Sequence, residues 1–528
     1  MGCLPSVVIG AILLLMACAK CEVSSTDTRT STSATLPKPD AEQKNILPDV
    51  LVSVAEYETA QATKRLPGSL ASSVCYEDLG CFSRMGNFSD YLKLPITPEK
   101  MATEFHLFTE AHQTQPDFLD YGNPTSIKAS KFRKGEPVII VVHGFGDSAN
   151  ASWYTDFQIA VLGKYPLANF IAVDWAAGAA APKYWTAAVN TQMAGAQIAR
   201  LLSVLNNVTG TKMSDVHLIG FSLGAHVVGS TARKLTEFGL QRVGRITGLD
   251  PAGPLFRNFH PWCRLDVEDA DFVQIIHSNA GTSLNGDMGI DMQLGHRDFY
   301  PNGGHAQPGC TSGLHSTFHN MVRNANNCNH NRAPAYVSEA ILSSCPFTGY
   351  ACDSYEKFIS GECSDAKHVK MDIFTKDKTP IAQPIYFQTH ADGSFCAHTF
   401  RLSVTISGKS SPRKGSLKLT LKPKASALKN ATTSTITVLK QTNFKPGQTH
   451  QDVLISRAAL PELEEITVEY ERACLILCRD NTNLEVASIK IQELGSAITA
   501  ECKNLRLANA VAVKVVSSNG QSSCGQLL

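Results

Sequence analysis

Residues 215–234 read Asp-Val-His-Leu-Ile-Gly-Phe-Ser-Leu-Gly-Ala-His-Val-Val-Gly-Ser-Thr-Ala-Arg-Lys. The run from Asp215 to Gly220 predicts a buried strand, and Leu223 to Lys234 predicts a helix. Between them lies Gly220-Phe221-Ser222-Leu223-Gly224. A serine on so tight a strand-to-helix turn is pushed out of the sheet edge and needs small neighbours. The two glycines supply that room and tolerate the strained backbone. Ser222 is therefore the candidate nucleophile.

Working outward, 137–142 (Pro-Val-Ile-Ile-Val-Val) and 169–174 (Asn-Phe-Ile-Ala-Val-Asp) are continuous apolar runs, as in strands buried on both faces. Residues 191–205 carry helical spacing, and 243–249 and 272–277 read as strands. Strands alternating with helices predict an α/β domain, a mostly parallel sheet with helices on both faces. After about residue 395 the texture changes. Segments 400–407, 415–422, 433–440, 464–470, 484–492 and 510–516 are short, partly alternating and separated by turns. They predict an all-β antiparallel sandwich of about 130 residues, with the boundary near Ala391-Asp392-Gly393.

The chain has 528 residues, 43% hydrophobic and 18% charged, with a formal net charge of +1. That composition excludes wholesale disorder, and the neutral balance argues against a nucleic-acid partner. Val7 to Cys18 is apolar, too short to span a bilayer and of signal-peptide size, so residues 1–19 predict a secretory signal. Sixteen cysteines agree with an oxidising compartment. Four Asn-x-Ser/Thr sites, at Asn87, Asn150, Asn207 and Asn430, permit glycosylation. Residues 20–72, rich in Ser, Thr, Ala and Pro, predict a mobile leader in which Lys64-Arg65 is a candidate processing site. The catalytic domain is expected at 73–395 and the sandwich at 396–528.

A serine hydroxyl needs a histidine to take its proton and an acid to orient that histidine. In this strand-turn-helix setting the acid follows the serine and the histidine follows the acid. Asp250, ending strand 243–249, is the candidate acid. Asp174 also ends a strand but precedes the serine. His260, His277, His296, His305, His315, His319 and His330 all follow Asp250, and the residues alone leave the choice among them open. An oxyanion hole needs backbone N–H groups beside the serine. Leu223 and the loop at 143–146 are placed to supply them.

The chain resembles the pancreatic-type lipase family of animals, with its C-terminal PLAT sandwich. The motifs that carry the resemblance run in family order: Cys75-Tyr-Glu-Asp-Leu-Gly-Cys81, His143-Gly-Phe-Gly-Asp147, Asp174-Trp175, Gly220-Phe-Ser-Leu-Gly-Ala-His226, Arg245-Ile-Thr-Gly-Leu-Asp-Pro-Ala252, Phe299-Tyr-Pro-Asn-Gly-Gly304 and Cys328-Asn-His330. The resemblance implies an α/β-hydrolase fold and the triad Ser222, Asp250 and His330. It assigns Phe145 as the second oxyanion donor beside Leu223. It implies no organic cofactor, and a structural calcium held by Asp266 and Asp269 with backbone oxygens of Pro261 and Arg264. Cys263 inside that loop departs from the family. Disulfides Cys75–Cys81, Cys310–Cys328, Cys352–Cys363 and Cys502–Cys524 are implied. Cys21, Cys263, Cys345, Cys396, Cys474 and Cys478 stay unassigned.

Between Cys310 and Cys328, the residues Leu314, Phe318, Met321 and Val322 follow a helical stripe. That predicts an amphipathic lid beside His330. The resemblance implies a longer loop here in full-lid lipases and a shorter one in phospholipases A1. The second loop, Ser278 to His296, is nearly of pancreatic length. The expected activity is therefore a secreted triacylglycerol lipase-like carboxylester hydrolase at the lipid–water interface. A phospholipase A1 or galactolipase is the alternative. A silent lipid-binding or yolk-type protein is the remote one, since all three triad members are kept. The sandwich is expected to dock lipid or a colipase-like helper protein.

Overall fold

Before the first strand comes a helix, α1 (Leu47–Thr63), with Leu47, Val50, Ser53, Tyr57 and Ala60 buried along one face. Over Leu47–Thr63 the chain is thus a packed helix where a mobile leader was expected. The apolar stripe lies among Ala, Thr, Ser and Glu, so a composition averaged over the whole stretch hides its periodicity. The computed structural model describes residues 46–63, 71–282, 286–310, 318–363, 366–392, 394–426, 433–473, 483–516 and 525–526. The expected signal, Lys64-Arg65, Leu314, Asn430, and Cys21, Cys474, Cys478 and Cys524 lie outside them. No helix among the described residues is long and apolar enough to cross a membrane.

A hairpin, β1 (Ser73–Tyr76) and β2 (Gly80–Ser83), is stapled by Cys75–Cys81. One eleven-stranded sheet follows. Its parallel centre is β5 (Val138–Val142), β6 (Asn169–Asp174), β7 (Val216–Phe221), β8 (Arg245–Leu249), β9 (Val273–Ile276), β10 (Arg297–Pro301) and β13 (Ile385–Phe387). Every residue of β5, β7, β8 and β9 is buried, as strands covered on both faces require, His217, Arg245, Thr247 and Gln274 included. Antiparallel strands flank the centre. On one side are β3 (Glu104–Thr109) and β4 (His112–Leu119), on the other β11 (Thr348–Ala351) and β12 (His368–Lys370).

Helices α2 (Ser152–Lys164), α3 (Tyr184–Thr209), α4 (Leu223–Glu237) and α5 (Phe318–Leu342) cover the sheet. One core joins α3 and α4 to one face. A second joins α2 and α5 to the other, through Phe157, Val161, Tyr336 and Val337. The expected α/β-hydrolase architecture is what the structure has.

The C-terminal region is a sandwich of two antiparallel sheets. One is ordered β17 (Thr449–Ser456), β14 (His398–Ile406), β19 (Leu484–Glu493), β20 (Thr499–Leu507). The other is ordered β16 (Ser434–Phe444), β15 (Arg413–Pro423), β18 (Leu463–Arg472), β21 (Ala512–Val516), β22 (Gly525–Gln526). Strands β17 and β20 were not expected. Both are edges of their sheet, so their apolar alternation is diluted by exposed polar residues. Cys345–Cys396, a pair left unassigned by sequence, ties the segment after α5 to the start of the sandwich. Val453 and Leu494 of the sandwich share a small core with Tyr350, Phe358 and Tyr386.

Candidate active site

Ser222 stands between β7 and α4 at φ 56° and ψ −120°, a conformation few side chains adopt. The flanking glycines are sterically obligatory. A Cβ on Gly220 would lie 2.2 Å from Gly224 O, and one on Gly224 would lie 2.1 Å from Val142 O. The 143–146 loop closes on the serine from the end of β5. A Cβ on Gly144 would sit 2.6 Å from Ser222 Cβ and 3.1 Å from its Oγ.

His143 pins that loop. Its Nε2 accepts from Trp175 N at 3.1 Å, which leaves the proton on Nδ1 to donate to Gly144 O at 2.9 Å. Trp175 Nε1 also donates to His143 O at 2.9 Å. Phe145 is buried with its ring edge-on to Tyr184, 5.2 Å between centroids. Among the described residues, neither Phe145 N nor Leu223 N is engaged in another hydrogen bond. Two backbone donors therefore remain beside Ser222.

Asp250 follows β8 and is wholly buried. Its Oδ1 accepts from Ser278 N at 2.8 Å and Asn279 N at 3.0 Å. Its Oδ2 meets His330 Nδ1 at 2.5 Å. His330 is also buried, and its ring lies 4.7 Å from that of Phe221, the residue before the serine. His330 Nε2 is buried and has no hydrogen-bond partner among the described residues. The structure thus gathers Ser222, Asp250 and His330 at the ends of β7, β8 and the middle of α5. An imidazole whose Nδ1–H is spent on a carboxylate presents Nε2 as an unprotonated acceptor.

The rival histidine is placed elsewhere. His277 Nε2 meets Asp298 Oδ1 and its Nδ1 meets Ile290 O, both at 2.9 Å, while Tyr300 stacks on its ring. Both nitrogens face acceptors, so it is a structural clamp. Asp174 is likewise engaged, capping Ala149 N and Ala176 N.

Sequence reasoning missed Ser278, Asn279 and Gly289. The first two orient Asp250 by main-chain N–H groups, which any residue type carries. A Cβ on Gly289 would lie 2.4 Å from Asp250 Oδ1. The described part of the expected second loop is thus a wall against the buried acid, with Ile290 N bonded to Pro251 O at 2.8 Å.

A family profile described as Lipase matches residues 72–395. The chain belongs to the lipase family. Pancreatic lipase-related protein 2 of Rattus norvegicus is 36% identical over 359 residues, 63% of this chain and 74% of that protein. Pancreatic triacylglycerol lipase of Equus caballus is 32% identical over 417 residues, 75% of this chain and 87% of that one. Inactive pancreatic lipase-related protein 1 of Homo sapiens is 36% identical over 375 residues, 67% of this chain and 78% of that one. Membership makes this a lipase-type hydrolase by family. The name of the last relative shows that membership alone does not carry activity.

Within the lipase domain the Cys310–Cys328 disulfide is formed. Phe318, Met321 and Val322 fall in the first turns of α5, the helix that carries His330. Cys352–Cys363 is also formed, and Cys502 is disulfide-bonded. Cys263 is a buried free thiol whose Sγ donates to Asn87 O at 3.2 Å, and burial pushes its pKa up to about 12. Asn87, Asn150 and Asn207 are exposed.

The four residues expected to hold calcium are gathered at one spot. Arg233 Nη2 donates to Pro261 O at 3.1 Å, to Asp269 Oδ2 at 2.9 Å, and to Arg264 O. Asp266 N also donates to Asp269 Oδ2. Burial pushes Asp269 up to about 7 even with Arg233 against it. Three oxygens crowd on Arg233 Nη2 alone, while its Nη1 is buried without a hydrogen-bond partner among the described residues. Among the described residues no group of three or more His, Cys, Asp or Glu is placed to hold a metal. A cation here would take half its expected protein ligands from carbonyls. All four are oxygen donors, which suits a hard cation.

Proposed function

We propose that this chain is a secreted serine carboxylester hydrolase that cleaves acylglycerol esters at lipid interfaces through an acyl-enzyme. The observation that carries the reading is His330, held by Asp250 through Nδ1 with Nε2 left as a buried acceptor beside the strained Ser222 turn. Ser222 Oγ attacks the ester carbonyl carbon as His330 Nε2 takes its proton. The negative charge that develops on the carbonyl oxygen is met by Phe145 N–H and Leu223 N–H, which need no reorganisation. The C–O bond to the alcohol breaks, and His330 returns the proton to the departing oxygen. Water then repeats the sequence on the acyl-enzyme, so no organic cofactor takes part.

The short loop closed by Cys310–Cys328 favours a second substrate class, phospholipids or galactolipids. Purified protein offered triacylglycerol, phosphatidylcholine and galactolipid side by side is expected to cleave the first and, measurably, the second. A rate that rises only weakly as a short-chain ester passes from monomers to micelles is expected of a short lid. Replacing Phe318 and Met321 together with Ser is expected to weaken binding to lipid droplets while sparing a soluble ester. A sharp jump at the micelle threshold with no phospholipid cleavage overturns the short-lid reading. Equal damage to soluble-ester turnover makes the segment structural. The sandwich is the proposed docking module for lipid or a colipase-like helper.

Calcium is proposed as a structural ion in the Pro261, Arg264, Asp266 and Asp269 cluster. It enters by displacing Arg233, because the same oxygens cannot serve both. Calcium at about 100 times its Kd is expected to add about 2.7 kcal/mol of stability, read as a rise of a few degrees in Tm. Asp269→Asn is expected to abolish that rise. An unchanged Tm with and without a calcium chelator excludes the site.

A further inference from the structure

Helix α1 lies outside residues 72–395, the stretch that the lipase profile matches. Yet it is seated on the wall of the candidate site. Val50 is wholly buried, and Tyr57 stands edge-on to Trp185 at 5.5 Å and tilted against Phe259 at 5.6 Å. Trp185 belongs to the first turn of α3, next to Tyr184, the ring on which Phe145 packs. Ser53 Oγ donates to Pro182 O at 3.4 Å, in the loop that leads into α3. The residue just before the helix reaches furthest. A Cβ built on Gly146 would lie 3.2 Å from Ile46 Cγ2.

Gly146 directly follows Phe145, the proposed oxyanion donor. Its φ is +70°, a conformation that favours glycine. Its own N–H is tied to Ala179 O at 2.8 Å. The loop is thus fixed from within by His143 and Ala179. Ile46 fills the space on which a side chain at position 146 would have opened. An oxyanion donor acts only if it is held where the charge will develop. A displacement of about 1 Å can cost as much as 100-fold in rate.

The geometry points to Ile46 and the buried face of α1 as a positioning element that holds the Phe145–Gly146 segment of the oxyanion loop from outside the family-matched domain. This rests on the proposed hydrolase mechanism. The side chain touches neither substrate nor reacting atoms, so the effect runs through the loop.

The test uses the full chain and a soluble p-nitrophenyl ester. Ile46→Ala is expected to lower kcat on the order of tenfold, with KM within about twofold and Tm nearly unchanged. Ile46→Val, which keeps a branched side chain, is expected to recover most of the loss. Glu58→Ala, on the exposed face of the same helix, is expected to leave both parameters alone. Amide hydrogen exchange at Phe145 and Gly146 supplies a readout that needs no turnover, and it should quicken in Ile46→Ala alone. Unchanged exchange at those amides overturns the proposal, as does a kcat loss that merely tracks the unfolded fraction and is not rescued by Val. If the wild-type chain hydrolyses no ester, the mechanism falls, and the exchange result alone decides whether the helix holds the loop.

Discussion

Ser222→Ala is expected to lower kcat for ester hydrolysis by about 10⁶-fold. The size follows from what is removed. Without Oγ no acyl-enzyme forms, and water has no histidine-activated route of comparable geometry. The remaining rate comes from substrate binding and the two backbone donors, which act on any attacking oxygen. The fold should not change, because Ser222 is held by its main chain. Its N–H bonds Leu249 O at 3.0 Å, and its carbonyl accepts from Ala225 and Ala252. The loss should therefore appear in kcat at unaltered Tm. A burst of alcohol release equal to the enzyme concentration, seen with wild type and absent from the variant, identifies the acyl-enzyme. A variant retaining more than a few per cent of the rate means that another group is the nucleophile.

How far the site was legible in the sequence depends on which part of each residue does the work. The elbow was legible because its glycines are forced by distance, with Gly224 against Val142 O and Gly220 against Gly224 O. Strands β5 to β9 were legible because burial on both faces keeps them mostly apolar, with buried exceptions such as His217, Arg245 and Gln274, whereas β10, which opens Arg297-Asp298, and the three-residue β13 were not expected. The edge strands were not. In β4 most residues are exposed or half-buried, so the chain there looks like a loop. The histidine could not be chosen from residue types, because His277 has an aspartate partner as close as many catalytic pairs. The structure separates the two pairs: His330 lies against Phe221 with Nε2 unpartnered among the described residues, whereas both nitrogens of His277 are engaged. Helix α1 was hidden for a different reason. Its buried face uses Ala60 and Ser53 beside Val50 and Tyr57, and small residues carry little hydrophobic signal. The Cys345–Cys396 bridge joins residues 51 apart in sequence, and spacing alone does not choose between possible partners.

Asp250→Asn is expected to cost about 10⁴-fold in kcat, less than loss of the serine, through the tautomer of His330. The carboxylate works on two sides. Oδ1 takes the N–H groups of Ser278 and Asn279, and Oδ2 takes His330 Nδ1. An asparagine amide has one oxygen, and the two main-chain donors claim it. Its NH₂ group must then face His330, so Nδ1 becomes the acceptor and Nε2 carries the proton. A protonated Nε2 cannot receive the serine proton, although every atom stays near its place. The variant should fold, since both N–H bonds to position 250 survive. His277→Ala supplies the contrast. It removes the clamp between Asp298 and Ile290 O, leaving the buried carboxylate with only the N–H groups of Leu294 and Gly295, so Tm should fall while folded molecules keep most of their kcat. If His277→Ala abolished turnover at unchanged Tm while Asp250→Asn left it near normal, the base would be His277, oriented by Asp298.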